Sequence, residues 1–382
     1  MVNARSASSL LGAVLLARHG DRLEFFQDPT TYTPTETYIT PLGSQQEFQL
    51  GSFLRSTYLT PSSLSYVNGI STQLADINQV FVLADAGGGG SVILNSIGGL
   101  LQGLYPATPE STITLANGTT ILGPLGGYQY IPVHSVEPST VPYLNSWTDC
   151  PVFDAHTSRF YSSEAFFQKA EEAQPLLDAL APFLGDRDRN FTNMIFDFVN
   201  VQLVHNATFY ETFLPTLAAQ AYGFANYHEY GVFTDSSASG IGSIAAQTIL
   251  SYILPALQGI VDDSNALKLE LIGISYKPFI SLFNVTEAVD THPDIAGIVD
   301  YASVVALEVF ETGGCNDEPR VRMKFRNGTS TDQFRQLFMF GKTDLSVTDL
   351  VDKLSGIVVG TTEKWCQACN QTTARGCSAY QN

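Results

Sequence analysis

Positive charge is scarce in this chain. Its 19 Lys and Arg face 37 Asp and Glu, a formal net charge of -18, and only 15% of the residues are charged at all. A broad basic surface is excluded, and with it nucleic acid or anionic lipid as a partner, so any anion site must be built from a few local cations. No run of 18 or more apolar residues occurs, which removes the expectation of a membrane span although 44% of the chain is hydrophobic. Cysteines number five: Cys150, Cys315, Cys366, Cys369 and Cys377. They allow two disulfides and one leftover thiol, with the pairing open. Cys366 and Cys369 form a C-x-x-C, but no second pair or clustered histidines accompany it, and zinc is not expected. Nor is there a cofactor motif. The run Gly87 to Gly90 matches neither a dinucleotide nor a P-loop fingerprint and reads as a loop.

What is present is length and polar variety. At 382 residues the chain exceeds the size of one ordinary core, which predicts a large domain with a smaller one inserted. Asn117, Asn190, Asn206, Asn284, Asn327 and Asn370 each begin an N-x-T sequon. Sequons and cysteines together predict a secreted protein carrying N-glycans. Ser9 to Ala17 resembles a signal-peptide core, yet it runs straight into Arg18-His19-Gly20 without a cleavage site of small residues, so it is read as a strand, the leader being absent or replaced by Met1.

The order of patterns along the chain is α/β. Leu10 to Ala17 is apolar throughout, as for a strand buried on both faces of a parallel sheet. Helical spacing follows from Pro41 to Leu59, a strand from Val80 to Ala84 and a helix from Ile93 to Leu104. Residues 155–265 read as mostly helical, with segments Glu164 to Phe183, Phe191 to Phe209 and Ile244 to Leu257. Strands return at Leu269 to Ser275 and Val304 to Phe310. The expected fold is a mostly parallel central sheet flanked by helices. Its core is residues 1–154 and 266–354, its α-helical subdomain 155–265, and its tail, 355–382, carries cysteines and is tied on by a disulfide.

The sharpest local signal is Arg18-His19-Gly20-Asp21-Arg22 at the end of the first strand. Ligands collect at that edge of an α/β sheet, and two guanidiniums around an imidazole supply fixed donors for a phosphate with a nucleophile between them. Further segments accompany it: Thr40-Pro41-Leu42-Gly43, Gln46, Leu50-Gly51, Arg55 and Tyr58; Gly103-Leu104-Tyr105-Pro106; Ile131-Pro132-Val133-His134 before Cys150-Pro151; and Tyr301-Ala302-Ser303 leading to Glu308. Jointly they make the chain, over roughly residues 10 to 350, resemble the histidine acid phosphatase (phosphoglycerate mutase-like) superfamily, including its fungal phytase-like branch. The signature of that family is R-H-G-x-R.

The resemblance implies that His19 attacks phosphorus while Arg18 and Arg22 hold the oxygens, with His134 beside them, and that an aspartate of a later S-x-H-D segment protonates the leaving alcohol. Two departures follow. Leu83 stands where the family has a third arginine, in Val80-Phe81-Val82-Leu83-Ala84-Asp85. Ser275-Tyr276-Lys277-Pro278 stands where the histidine-aspartate pair belongs. Pro278 cannot donate a proton, and general-acid help is worth about 10²–10⁴ in rate. Lys277 keeps a positive charge for a phosphate, or is a solvated loop lysine. Substitute acids are Asp21, which also reads as a spacer, and Glu24, with Glu137 and Asp294 more remote. His156, His205 and His228 fall in the helical stretch without partner spacing. Three functions stay open: a slow phosphomonoesterase through phospho-His19; other chemistry on a small metabolite, in a pocket made more apolar by Leu83 and Tyr276; and a silent protein that binds a small molecule or anion.

Overall fold

The computed structural model describes residues 9–23, 38–87, 91–185, 191, 195–313 and 318–380. The elements run β1 (Ser9–Arg18), α1 (Pro41–Leu54), β2 (Val80–Asp85), α2 (Val92–Leu104), a surface hairpin β3 (Thr112–Thr114) and β4 (Thr120–Leu122), the single turn α3 (Pro124–Gly127) and β5 (His134–Val136). Helices α4 (Pro151–Tyr161), α5 (Glu164–Leu184), α6 (Ile195–His205), α7 (Ala207–Thr212), α8 (Pro215–Val232) and α9 (Ile244–Val261) follow. The chain then re-enters the sheet as β6 (Leu269–Ile274), leaves it through α10 (Lys277–Val285) and the turn α11 (Ala288–Thr291), and adds β7 (Val304–Glu311), β8 (Arg320–Arg326), β9 (Arg335–Leu337) and β10 (Leu345–Ser346). Helices α12 (Val347–Ser355) and α13 (Thr362–Cys369) complete it.

The main sheet runs β10-β8-β7-β1-β6-β2-β5, with β9 on β8. It is mixed. Strands β1, β6, β2 and β5 are parallel, whereas β7, β8, β9 and β10 add an antiparallel half. The parallel part, which positions the site, matches the expected sheet; β9 and β10 are too short to carry a pattern, while the alternating Arg320–Arg326 of β8 is a strand the sequence reading missed. Along β1 alternate residues serve two cores. Val14 and Leu16 pack under α9 and α10, while Ala13, Leu15 and Ala17 pack against α1 and α2. A strand buried on both faces has no polar side, which is why its sequence is continuously apolar.

Helices α1 and α2 cross at backbone contact. A Cβ on Gly51 would lie 1.9 Å from the Leu100 carbonyl oxygen, and one on Gly103 would lie 2.1 Å from that of Phe48. Both motif glycines are therefore steric requirements of one crossing. Helix α9 lies within the stretch 155–265 but packs on β1 and β7. The segment Ile241–Val261 is long and apolar enough to cross a membrane, yet 67% of it is buried inside the molecule. Helices α5, α6, α7 and α8 share a separate small core of Leu176, Leu180, Val199, Phe209 and Ala221 among others. The break at Asn206, which caps α7 by accepting from the Phe209 amide at 3.1 Å, divides what the spacing read as one helix.

The disulfide Cys150–Cys369 fastens the C-terminal tail to the start of α4, and Cys366–Cys377 closes a loop within the tail itself. The two cysteines of the C-x-x-C thus have different partners. Cys315 lies outside the described residues.

Candidate functional site

The signature loop is held rigidly. The His19 amide donates to the Ile274 carbonyl at 3.2 Å, the His19 carbonyl accepts from Ala302 at 3.2 Å, and the Arg18 amide donates to Ser303 at 2.9 Å. Gly20 donates to the Ser96 hydroxyl at 3.0 Å. Asp21 donates its amide to Gln46 Oε1 at 2.8 Å. A Cβ on Gly20 would meet the Gly43 carbonyl at 2.5 Å, and one on Gly43 the Asp21 carbonyl at 2.2 Å, so both glycines let the loop lie against the first turn of α1. Thr40 caps that helix by accepting from the Gly43 amide at 3.1 Å.

His19 is buried, and its Nδ1 is 2.8 Å from the Gly20 carbonyl oxygen. A carbonyl only accepts, so Nδ1 carries the proton and Nε2 keeps its lone pair. Burial, then the charges of Arg18 and Arg22 and more weakly that of Lys277, push the imidazole pKa well below its usual value against the opposing Gly20 bond. The ring is held neutral amid cations, with Nε2 chemically able to act as a nucleophile.

Arg18 donates to the Val299 carbonyl, and its guanidinium lies 4.3 Å from the ring of Tyr301 and 5.1 Å from that of Tyr276. Its buried Nε has no hydrogen-bond partner among the described residues. Arg22 is different: it meets both carboxylate oxygens of Asp197, on α6, at 3.0 and 3.2 Å. Asp197 was missed in sequence reading, since nothing in a helix 175 residues away marks it as a partner.

Lys277 opens α10 with its ammonium over Trp147 at 4.9 Å and Phe233 at 5.6 Å. Burial lowers its pKa; Glu229 opposes this. Tyr276 donates to Glu229 Oε2 at 2.8 Å, and His228 Nδ1 lies 2.9 Å from Glu229 Oε1. Burial alone would raise the Glu229 pKa, but the His228 bond and charge, Lys277 and Tyr276 together hold it below the usual value.

The other sequence candidates fall elsewhere. His134 is exposed on the outer strand β5, stacked on Phe81 at 4.7 Å, and does not join the arginines. Asp21 lines the site; its Oδ2 takes a hydrogen bond from Thr40 and sits 2.8 Å from His205 Nε2, while its buried Oδ1 has no hydrogen-bond partner among the described residues. Glu24 lies outside the described residues, as do Gly88 to Gly90. Glu137 is exposed, and Asp294 pairs with Arg335 at 2.7 Å on the surface. Leu83 points into the core, not into the site, so the more apolar pocket owes nothing to it.

One further carboxyl emerges. Asp85 ends β2, and the registers Arg18 with Ile274 and Ala84 with Gly273 put Arg18, Ile274 and Asp85 in one row across three parallel strands. In-register parallel strands point such residues to one face, here two strand spacings, about 10 Å, apart. Burial raises the Asp85 pKa to about 6, against the Gly87 amide bond and the charges of Arg375 and Lys277. Its position at a strand's C-terminal end was the available sequence signal.

Arg18, Arg22, Tyr276 and Tyr301 form the polar end of a cavity of about 320 Å³ that extends among α5, α6 and α8. Among the described residues no group of three or more His, Cys, Asp or Glu could hold a metal ion.

The comparisons with known proteins point to the histidine acid phosphatase superfamily, whose phytases share this fold. Its relatives include mouse prostatic acid phosphatase, 28% identical over 226 residues, 56% of this chain and 52% of that one, so the match spans about half the mouse protein. Bovine prostatic acid phosphatase is 26% identical over 344 residues, covering 85% of this chain and 79% of the relative. Among solved structures, Hafnia alvei phytase in complex with myo-inositol hexakis sulphate superposes with a TM-score of 0.62 over 96% of this chain and 99% of its own, at 13% identity. No protein-family model matches the chain.

Proposed function

We propose that this chain is a divergent, slow phosphomonoesterase working through His19. The observation that carries the reading is the Nδ1 bond to the Gly20 carbonyl, which leaves Nε2 as the lone-pair atom of a neutral ring in a cationic site. Nε2 attacks phosphorus, the P–O bond to the ester breaks with its electrons going to the leaving oxygen, and water then hydrolyses the phosphohistidine. Arg18, with its Nε unpartnered, receives the phosphate oxygens, and Arg22 joins it once it exchanges Asp197 for phosphate. Lys277 adds charge from behind the aromatic rings. Because Leu83 and Lys277-Pro278 replace the third arginine and the histidine-aspartate pair, leaving-group protonation rests on Asp85, the carboxyl whose raised pKa leaves it protonated in acid.

The test is hydrolysis of p-nitrophenyl phosphate from pH 3 to 8 by the wild type and His19→Ala, with acid-quenched trapping of phosphohistidine. Turnover that disappears in the variant is expected. Folded wild-type protein with no turnover and no trapped intermediate would remove the reading.

A second reading, binding without turnover, draws its support from the Arg22–Asp197 pair, which occupies the donors a phosphate needs. In that case phosphate analogues bind and no ester is consumed. The two disulfides and the exposed sequons Asn117, Asn206 and Asn370 support an extracellular location with N-glycans there. Asn327 is exposed as well, although its Oδ1 accepts from Ser303 at 2.9 Å; Asn284 is half-buried with its side chain 3.1 Å from Tyr230, and Asn190 lies outside the described residues.

A further inference from the structure

We propose that the cavity beside the arginines seats the organic part of an amphiphilic phosphomonoester, a single-chain alkyl or aryl group, and that polyphosphorylated ligands are poor occupants. This deepens the phosphatase reading and rests on it for the chemistry, though not for the binding. The cavity, about 320 Å³, is of small-ligand size, and beyond the arginines and the carboxylates near them one wall is apolar: Leu176, Leu177 and Leu180 from α5, Phe196 from α6, Ala221 and Phe224 from α8. A pocket with one polar end and a dry wall selects a molecule divided the same way.

The charges make the same selection. Arg18 and Arg22 share the lining with Asp21, Asp197, Glu229 and Asp300, and Arg22 already holds Asp197. One phosphate can be neutralised by Arg18 and a displaced Arg22. A second or third phosphate farther in would meet carboxylates and leucines, where a buried unpaired charge is strongly disfavoured. The site therefore differs in ligand class from that of the phytase it resembles in fold, whose structure holds a six-fold sulphated inositol.

The experiment is isothermal calorimetry with n-alkylphosphonates from methyl to octyl, which cannot be hydrolysed, beside hydrolysis of the matching n-alkyl phosphates, glycerol phosphate and inositol hexakisphosphate. Each added methylene should tighten Kd about three- to fourfold until the cavity is filled. In Ala221→Trp, which fills the cavity from α8, the slope with chain length should flatten; Ala225→Phe, one turn on along the same helix, serves if that variant does not fold. Affinity independent of chain length, or a slope untouched by both variants, would overturn the proposal. Chain-dependent binding with no hydrolysis of any ester sinks the phosphatase reading and leaves this one standing. Hydrolysis of all esters without chain dependence does the reverse.

Discussion

Arg22 and Asp197 are joined at two points, 3.0 and 3.2 Å, across 175 residues of chain, so that the signature loop is tied to helix α6 by the guanidinium a phosphate would need. Both side chains are nearly buried, with exposures of 8% and 11%, and the carboxylate, with other charges, raises the arginine pKa despite burial. Removing one partner of such a pair costs about 3–5 kcal/mol because the other is left uncompensated. Asp197→Asn should lower the unfolding free energy by that order in phosphate-free buffer and recover much of it in phosphate, which then supplies the missing anion. Thermal denaturation with and without phosphate reads this; a loss that phosphate does not repair would disconnect Arg22 from anion binding.

Glu47, on α1, is fully buried, and neither carboxylate oxygen has a partner among the described residues. Burial raises its pKa well above the usual value, with Arg18 pulling the other way. The folded state thus holds a proton that the unfolded chain releases above about pH 4.3, and stability falls as pH rises from there toward the raised folded value. Glu47→Gln removes that loss. The variant should match the wild type near pH 4 and exceed it at pH 7, by about 1.4 kcal/mol for each unit by which the pKa is raised. Urea unfolding at the two pH values decides, and equal differences would show that the carboxyl is already satisfied.

His19 acts in the opposite sense. Its folded pKa is depressed, so the unfolded chain binds the extra proton first, and stability from this residue is complete above about pH 6.5 and is lost as pH falls below it toward the folded value. For catalysis the same depression keeps the ring unprotonated in acid. The rate on p-nitrophenyl phosphate should show no fall near pH 6.5 as pH is lowered. A half-loss of rate there would place an ordinary, solvated histidine at the nucleophile position.

Asp85, with its pKa near 6, should impose the alkaline limb. Hydrolysis of an alkyl phosphate, whose leaving group needs a proton, should decline as pH rises through about 6, and Asp85→Asn should flatten that decline while slowing alkyl esters more than nitrophenyl esters, by about 10²-fold. Equal slowing of both ester types would reduce Asp85 to a structural role.

Restoring the family's pair is the complementary test. Lys277→His combined with Pro278→Asp puts an imidazole and a carboxyl at the start of α10, where an acidic residue suits the helix N-terminus. Turnover of alkyl phosphates should rise by about 10²-fold, within the span of general-acid effects. A folded double variant no faster than the wild type would show that the proton supply is not what limits this site.

Much of the fold was legible because its signals are local. The apolar run before Arg18 reads as a doubly buried strand, and the spacing from Pro41 and from Ile93 reads as the two helices that flank it, although only the structure shows that Gly51 and Gly103 form their crossing. The site was legible only at its centre. Lys277 was read as a pocket cation or a solvated loop residue; it is buried over Trp147, and its charge acts on His19; His134 ends an apolar run and looks like a ligand group, yet β5 lies three strands from β1 and exposes it.

Sequence alone placed the Arg18-His19-Gly20-Asp21-Arg22 loop at the end of a buried strand and the order of the sheet's parallel elements, since each depends on neighbours within a few turns of chain. Only the tertiary structure decided which carboxylate meets Arg22, that Tyr276 and Tyr301 enclose Arg18, that Glu47 is buried without a partner, and that α5, α6 and α8 leave an apolar cavity beside the loop. Charge pairing and cavity shape are set by distances between elements far apart in sequence, and no local periodicity encodes those distances.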